Sequence, residues 1–105
     1  MGIEELEPLR HEIDALDEEI VRLLNERADR ALQIGLIKRR LGIQIYSPER
    51  EDEIFRLVQK ANSGKLSDGA VRRLFERIID ESRRLERETH GDLEAEADVQ
   101  DESGS

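Results

Sequence analysis

Cysteine and tryptophan are absent from this sequence of 105 residues, and aromatic residues make up only 3% of it. Without cysteine the chain can form neither disulfides nor thiolate metal sites, and a reducing compartment, the cytoplasm, is expected. There is no run of 18 apolar residues, and the first residues, MGIEELE, are acidic, so neither a membrane span nor an export signal is predicted. The two histidines, His11 and His90, lack metal-ligand spacing, and no metal site is expected.

Charge is abundant, but its two signs are unevenly distributed. Charged residues make up 41% of the sequence and the formal net charge is −9, which disfavours nucleic acid as a partner. Residues 89–105 contain six acidic residues and no lysine or arginine. A segment this poor in apolar residues cannot bury enough surface to fold, so we predict a helical domain over residues 1–88 and a disordered acidic tail over 89–105.

Strand-forming segments are scarce, and the remaining pattern is helical. From residue 5 to residue 41 apolar residues recur with the 3-4 spacing of an α-helix, with no glycine or proline between Pro8 and Gly35. Two shorter helices are predicted at about 48–62 and from about 68 to 88, each preceded by a serine that suits the N-cap position. The fold class is therefore all-α, with one long helix and two shorter ones.

The first helix is too long for a compact monomer. A helix of about 36 residues extends about 54 Å at about 1.5 Å per residue. A compact domain of this size has a radius of gyration of only about 12 Å. A second chain is needed to cover such a long apolar stripe, so we predict an obligate helical oligomer, most simply a dimer.

Polar residues interrupt these apolar stripes, where an ionised group is unfavourable unless it is paired. Arg27 occupies a core position of the first helix, and Lys38 lies about three turns further along nearly the same face. A set of cations, carboxylates and a hydroxyl suits a small, hydroxylated ligand with several negative charges. The interrupting residues are Arg27 and Lys38 in the first helix, Arg50 and Glu51 in the second, and Ser82 and Glu86 in the third.

These residues also have ordinary structural interpretations. An arginine on a helix more often lies along the surface or pairs with a neighbour than binds a ligand. Glu51 could pair with Arg50 as surface charge, and the Ser82 hydroxyl could bond a carbonyl of its own helix. The pairs Arg39-Arg40 and Arg83-Arg84 are predicted to be solvated. No nucleophile lies beside a base, and there is no glycine-rich phosphate loop.

Three stretches taken together resemble a known family. The order and spacing of the all-α (AroQ-type) chorismate mutases are found in LRHEIDALDEEIVRLLNERADRALQIGLIK, YSPEREDEI and RLFERIIDESRRLE, over about residues 5–88. The resemblance implies an intertwined three-helix homodimer that needs no cofactor. It also implies conversion of chorismate to prephenate in phenylalanine and tyrosine biosynthesis.

The resemblance further implies a role for each candidate residue. Arg27 would bind a substrate carboxylate, Lys38 would bind the ether oxygen and a carboxylate, and Glu51 would accept a hydrogen bond from the ring hydroxyl. Arg10 would reach the substrate from the partner chain, and Ser47 would contribute its backbone N–H. Arg50 and Ser82 would contact the substrate carboxylates, and Glu86 would lie near the ether oxygen.

Two positions depart from the family pattern, because Ser47 stands where aspartate is frequent and Glu86 where glutamine is frequent. An ionised Glu86 would repel the negative charge that develops on the ether oxygen, whereas a protonated carboxyl would donate a hydrogen bond to it.

Two other functions fit the same scaffold. An isochorismate-pyruvate lyase is disfavoured by Glu51, because the resemblance implies that the lyase branch lacks a carboxylate there. A plain coiled coil has no reason to place Arg27, Ser82 and Glu86 on its apolar stripes. A mutase-like regulatory module of an aromatic-pathway enzyme remains open as an alternative.

Overall fold

The computed structural model describes the backbone of residues 2–104 and the side chains of residues 2–88. Three α-helices follow one another, α1 Ile3–Leu41, α2 Pro48–Ala61 and α3 Asp68–Gly104, and the described residues contain no strand. The predicted all-α class with three helices is confirmed. Within the part of the chain that the structure describes, none of these helices combines the length and the apolar character needed to cross a membrane.

Helix α1 ends in a Schellman motif. Gly42 adopts a positive φ of 68°, where a residue without a side chain is unstrained. The Gly42 N–H donates to the Arg39 carbonyl at 3.2 Å, and the Ile43 N–H donates to the Lys38 carbonyl at 2.8 Å. This end agrees with the predicted end of the helical pattern at residue 41, and it places Lys38 in the last turn of α1.

Serine side chains cap the two other helices at their N-termini. The Ser47 hydroxyl accepts a hydrogen bond from the Arg50 N–H at 3.3 Å, and Pro48 follows at the first helical position. The Ser67 hydroxyl accepts from the Ala70 N–H at 3.0 Å. Both caps stand where the sequence predicts them, and the first of them fixes the turn that carries Arg50.

Helix α3 continues past its predicted end at about Glu88. Beyond that residue Gly91 is the first helix breaker and no proline follows, while the leucine, glutamate and alanine residues have high helix propensity. With 37 residues α3 is almost as long as α1, which has 39. The acidic tail predicted at 89–105 lies outside the residues whose side chains are described, and its disorder stays a prediction.

The chain divides into two compact units, Met1–Arg30 and Ala31–Ser105. The first unit is the N-terminal part of α1, and its apolar stripe is exposed in the single chain. The exposed fractions of the stripe residues range from 44% to 62%. They are Leu6, Leu9, Ile13, Leu16, Ile20 and Leu23. This regular and exposed apolar stripe is the feature from which the sequence predicts a second chain, and the dimer stays a prediction.

The core of the second unit is built by α2 and α3. Ile54 and Phe55 of α2 are buried with Ile79 of α3, and Val58 and Phe75 pack against them. These residues belong to the apolar rows that helical spacing predicts for the two helices. The core therefore fixes how α2, with its polar first turn, lies against α3.

The last part of α1, which belongs to the second unit, packs closely against α3 at Gly35. A Cβ atom at this position would lie 3.1 Å from the Cα of Glu86 and 3.3 Å from its carbonyl oxygen. Real Cβ atoms rarely come this close to backbone, so glycine permits the approach of α1 to α3. The contact sets the last turns of α1 directly against the turn of α3 that carries Glu86.

Candidate active site

A buried ion pair between α1 and α3 forms the centre of the candidate site. Lys38 Nζ lies 3.3 Å from Glu86 Oε2 and donates a hydrogen bond to the Ile45 carbonyl oxygen at 2.7 Å. Glu86 is 7% exposed and is the one buried charged residue among residues 2–88. An ionised carboxylate removed from water needs a partner, and Lys38 supplies it.

The hydrogen-bonding capacity of Lys38 leaves room for a ligand. An ammonium group has three N–H donors. Two are directed at Ile45 and Glu86, so the third remains for a further acceptor. The side chain is 20% exposed, so an anion that reached it would interact with a largely desolvated cation. The structure therefore brings together two of the predicted site residues, Lys38 and Glu86.

Glu51 lies in the first turn of α2 and pairs with α3, not with its own helix. Arg83 Nε lies 3.1 Å from Glu51 Oε2, and the two side chains are 27% and 18% exposed. The buried Nε has no directed hydrogen bond, so the contact is an ion pair held by charge. Arg50 instead pairs with Glu53 at 3.2 Å, and both of these side chains are exposed. The alternative in which Glu51 pairs with Arg50 as surface charge is wrong.

The two serines of the predicted site make local hydrogen bonds. The half-buried Ser82 hydroxyl donates to the Ile78 carbonyl one turn earlier, at 3.0 Å. This is the ordinary structural interpretation that the sequence offers for Ser82. To donate to a ligand carboxylate this hydroxyl must rotate away from Ile78. The Ser47 hydroxyl is the N-cap acceptor of α2, so its backbone N–H is the group left for the predicted ligand contact.

The two remaining candidates, Arg10 and Arg27, belong to the first unit. Arg10 is exposed, and its Nη1 lies 3.5 Å from Glu7 Oε1 in the preceding turn. Arg27 is half-buried, and of residues 2–30 only Arg27 and Ala28 are not exposed. The two arginines lie 17 positions apart on one continuous helix, which corresponds to about 25 Å. One chain cannot use both of them on a single small molecule.

The sequence did not identify Arg83 or Arg39, because both were predicted to be solvated. Each is half-buried, and among the described residues neither Nε atom has a hydrogen-bond partner. For Arg83 a signal was available, because it stands four residues after Ile79 and three before Glu86. That spacing places it on the buried face of α3.

Fixed charges dominate the chemistry of the described part of the second unit. In the part of the chain that the structure describes, no three His, Asp or Glu side chains are grouped so that they could hold a metal ion. The molecule is thus an all-α protein with a desolvated cation and two partly or fully buried carboxylates at the junction of its helices. Its sequence matches the chorismate mutase type II family over residues 9–87, and the chain belongs to that family.

Similar proteins include single-domain and fused members of this family. The chain is 44% identical over 89 residues to a bifunctional chorismate mutase/prephenate dehydratase of Aquifex aeolicus, a match that covers 81% of this chain and 25% of that protein. It is 31% identical over 87 residues to the chorismate mutase of Methanocaldococcus jannaschii, with 82% and 88% covered. The chain thus spans about a quarter of the length of the fused relatives it matches.

A solved structure supports the same relationship. The chorismate mutase of Helicobacter pylori in complex with prephenate superposes with a TM-score of 0.76 at 34% sequence identity, covering 83% of this chain and 94% of that one. The family resemblance found in the sequence is therefore confirmed.

Proposed function

We propose that this chain is a chorismate mutase, which rearranges chorismate to prephenate. The observation that carries the proposal is the position of Lys38. The end of α1, the Ile45 carbonyl and Glu86 hold its ammonium group in a mostly buried site. A cation fixed there stabilises a developing negative charge more strongly than the same cation in water. Family membership supplies the substrate class.

The proposed reaction is an intramolecular [3,3] rearrangement. One carbon–oxygen bond of the ether breaks, one carbon–carbon bond forms within the same molecule, and no atom is gained or lost. The protein therefore needs no nucleophile and no acid–base pair. It has to hold the substrate in its compact conformer and to stabilise negative charge on the breaking ether oxygen.

In this proposal each polar side chain has one task. The Lys38 ammonium donates to the ether oxygen, Arg27 binds a carboxylate of the substrate, and the carboxylate of Glu51 accepts from the ring hydroxyl. The other contacts to the substrate come from Glu86 beside the ether oxygen, from Ser47, Arg50 and Ser82, and from the partner's Arg10. To bind a ligand, Arg50 must break its exposed ion pair with Glu53. The cost is small, because exposed ion pairs contribute only about 0–1 kcal/mol.

The active unit in this proposal is a homodimer. Support comes from the exposed apolar stripe of the first unit and from the separation of about 25 Å between Arg10 and Arg27 on one helix. Light scattering at micromolar protein should give about twice 12.1 kDa. A folded, active monomer would contradict this part of the proposal.

Turnover by the purified protein tests the activity directly. We expect saturable loss of the chorismate absorbance in the ultraviolet, without added metal or cofactor, together with formation of prephenate. A folded dimer that leaves chorismate unchanged would refute the proposal. Isochorismate serves as the second substrate, because pyruvate release that exceeds prephenate formation would identify the lyase instead.

A further inference from the structure

Arg83 connects three parts of the second unit. Its Nε lies 3.1 Å from Glu51 Oε2 on α2, and its Nη2 lies 2.8 Å from Asp80 Oδ1 on α3. Its guanidinium carbon lies 5.3 Å from the ring centroid of Tyr46, which belongs to the segment between α1 and α2. An arginine stacked on a ring and paired with two carboxylates has little freedom to move.

The pair between Arg83 and Glu51 differs in kind from the surface pairs around it. The neighbouring Arg84 pairs with Glu88 four residues along the same helix, and these side chains are 69% and 57% exposed. Such pairs are screened by water and contribute little. Arg83 and Glu51 are 27% and 18% exposed and lie on different helices, so their attraction is screened less.

The electrostatics of Glu51 require such a partner. In the proposed reaction this carboxylate contacts a substrate that itself carries two carboxylates. An unpaired carboxylate there would repel the ligand. It would also be free to rotate away from the substrate hydroxyl. Arg83 offsets that charge and engages Oε2, so that Oε1 remains as the acceptor.

We propose that Arg83 is a positioning residue, which neutralises the Glu51 carboxylate and holds it in the orientation that accepts the substrate hydroxyl. This inference rests on the proposed function and adds a residue for which the sequence predicted only solvation. Arg83 acts through Glu51 and has no contact of its own with the substrate.

Substitution of Arg83 tests the proposal against a matched neighbour. Arg83→Ala should lower kcat/KM for chorismate by about 10- to 100-fold, because it leaves the mostly buried carboxylate of Glu51 without its ion-pair partner. Most of the loss should appear as a higher KM, because the hydroxyl contact exists both before and in the transition state. Arg83→Lys should restore part of it. Arg84→Ala, which removes the adjacent exposed arginine, should leave both constants unchanged.

A double-mutant cycle with Glu51→Ala separates positioning from simple structural support. If Arg83 acts through Glu51, then Arg83→Ala should have little further effect once Glu51 is replaced. Additive losses, or wild-type kinetics for Arg83→Ala, would overturn the inference while leaving the proposed function intact. Thermal melting verifies that each variant folds. If Arg83→Ala does not fold, Arg83→Gln replaces it in the cycle. An inactive wild-type protein would refute the proposed function and this inference with it.

Discussion

The carboxylate of Glu86 lies beside the cation that the proposed reaction uses most directly. Without substrate it neutralises Lys38 at 3.3 Å and makes burial of both groups tolerable. In the proposed reaction it would face the oxygen on which negative charge develops. The same group therefore favours the folded protein when ionised and the reaction when protonated.

Substitution of Glu86 should report this conflict. We expect Glu86→Gln to raise kcat/KM for chorismate, because an ionised carboxylate neutralises Lys38 and repels the developing charge, whereas an amide N–H donates a hydrogen bond to it. Glu88→Gln, which changes an exposed acid two residues further along α3, should leave kcat/KM unchanged. Equal kcat/KM values for wild type and Glu86→Gln would remove Glu86 from the mechanism.

Arg27 is a half-buried cation in the first unit, and its replacement tests the carboxylate contact. Arg27→Ala should lower kcat/KM by on the order of 10³-fold, since it removes a charge-assisted contact that strengthens in the transition state. The dimer should persist in light scattering. Arg30→Ala is the control, because Arg30 is exposed and bonds the Glu26 carbonyl of its own helix at 3.3 Å. Retained activity, or simple unfolding of Arg27→Ala, would show that the assignment is wrong.

At the scale of the elements, the approach of α1 to α3 determines whether Lys38 can reach Glu86. That approach depends on Gly35, whose missing side chain admits the backbone of Glu86. Alanine would favour the helix itself by about 1 kcal/mol over glycine. Overpacking against backbone costs about 1–3 kcal/mol, so the clash should exceed the gain.

We therefore expect Gly35→Ala to lower the melting temperature by several degrees and to reduce kcat/KM, because α3 must shift and carry Glu86 away from Lys38. Gly64→Ala is the matched control, since a Cβ there meets nothing within 4 Å. Calorimetry and chorismate kinetics on both variants measure the two effects. A Gly35→Ala protein that is more stable and equally active would show that the close contact is unimportant.

The sequence predicted those features that depend on neighbouring residues. The end of α1 at residue 41 and the serine caps of the two other helices agree with the prediction, because capping involves groups within one turn. Contacts across helices were harder to predict. The partner of Glu51 is Arg83, more than thirty residues away in the chain, and only the packing of α2 on α3 brings them together.

At the scale of the whole molecule, the proposed active sites belong to two chains. The first unit offers an exposed apolar stripe, and Arg10 and Arg27 are too far apart on α1 to serve one ligand in the same chain. In a two-fold symmetric dimer each site would combine Arg27 and Lys38 of one chain with the partner's Arg10. This arrangement makes a prediction that no monomer shares.

Mixed dimers of two inactive variants should regain activity. When Arg10→Ala and Arg27→Ala proteins are unfolded together and refolded, about half of the dimers should be mixed, and each of these has one intact site of two. Activity should then return to about a quarter of the wild-type value. Arg27→Ala mixed with Lys38→Ala is the control, because both residues belong to the same chain's site and no intact site can form. Activity in that control, or none in the first mixture, would contradict the shared site.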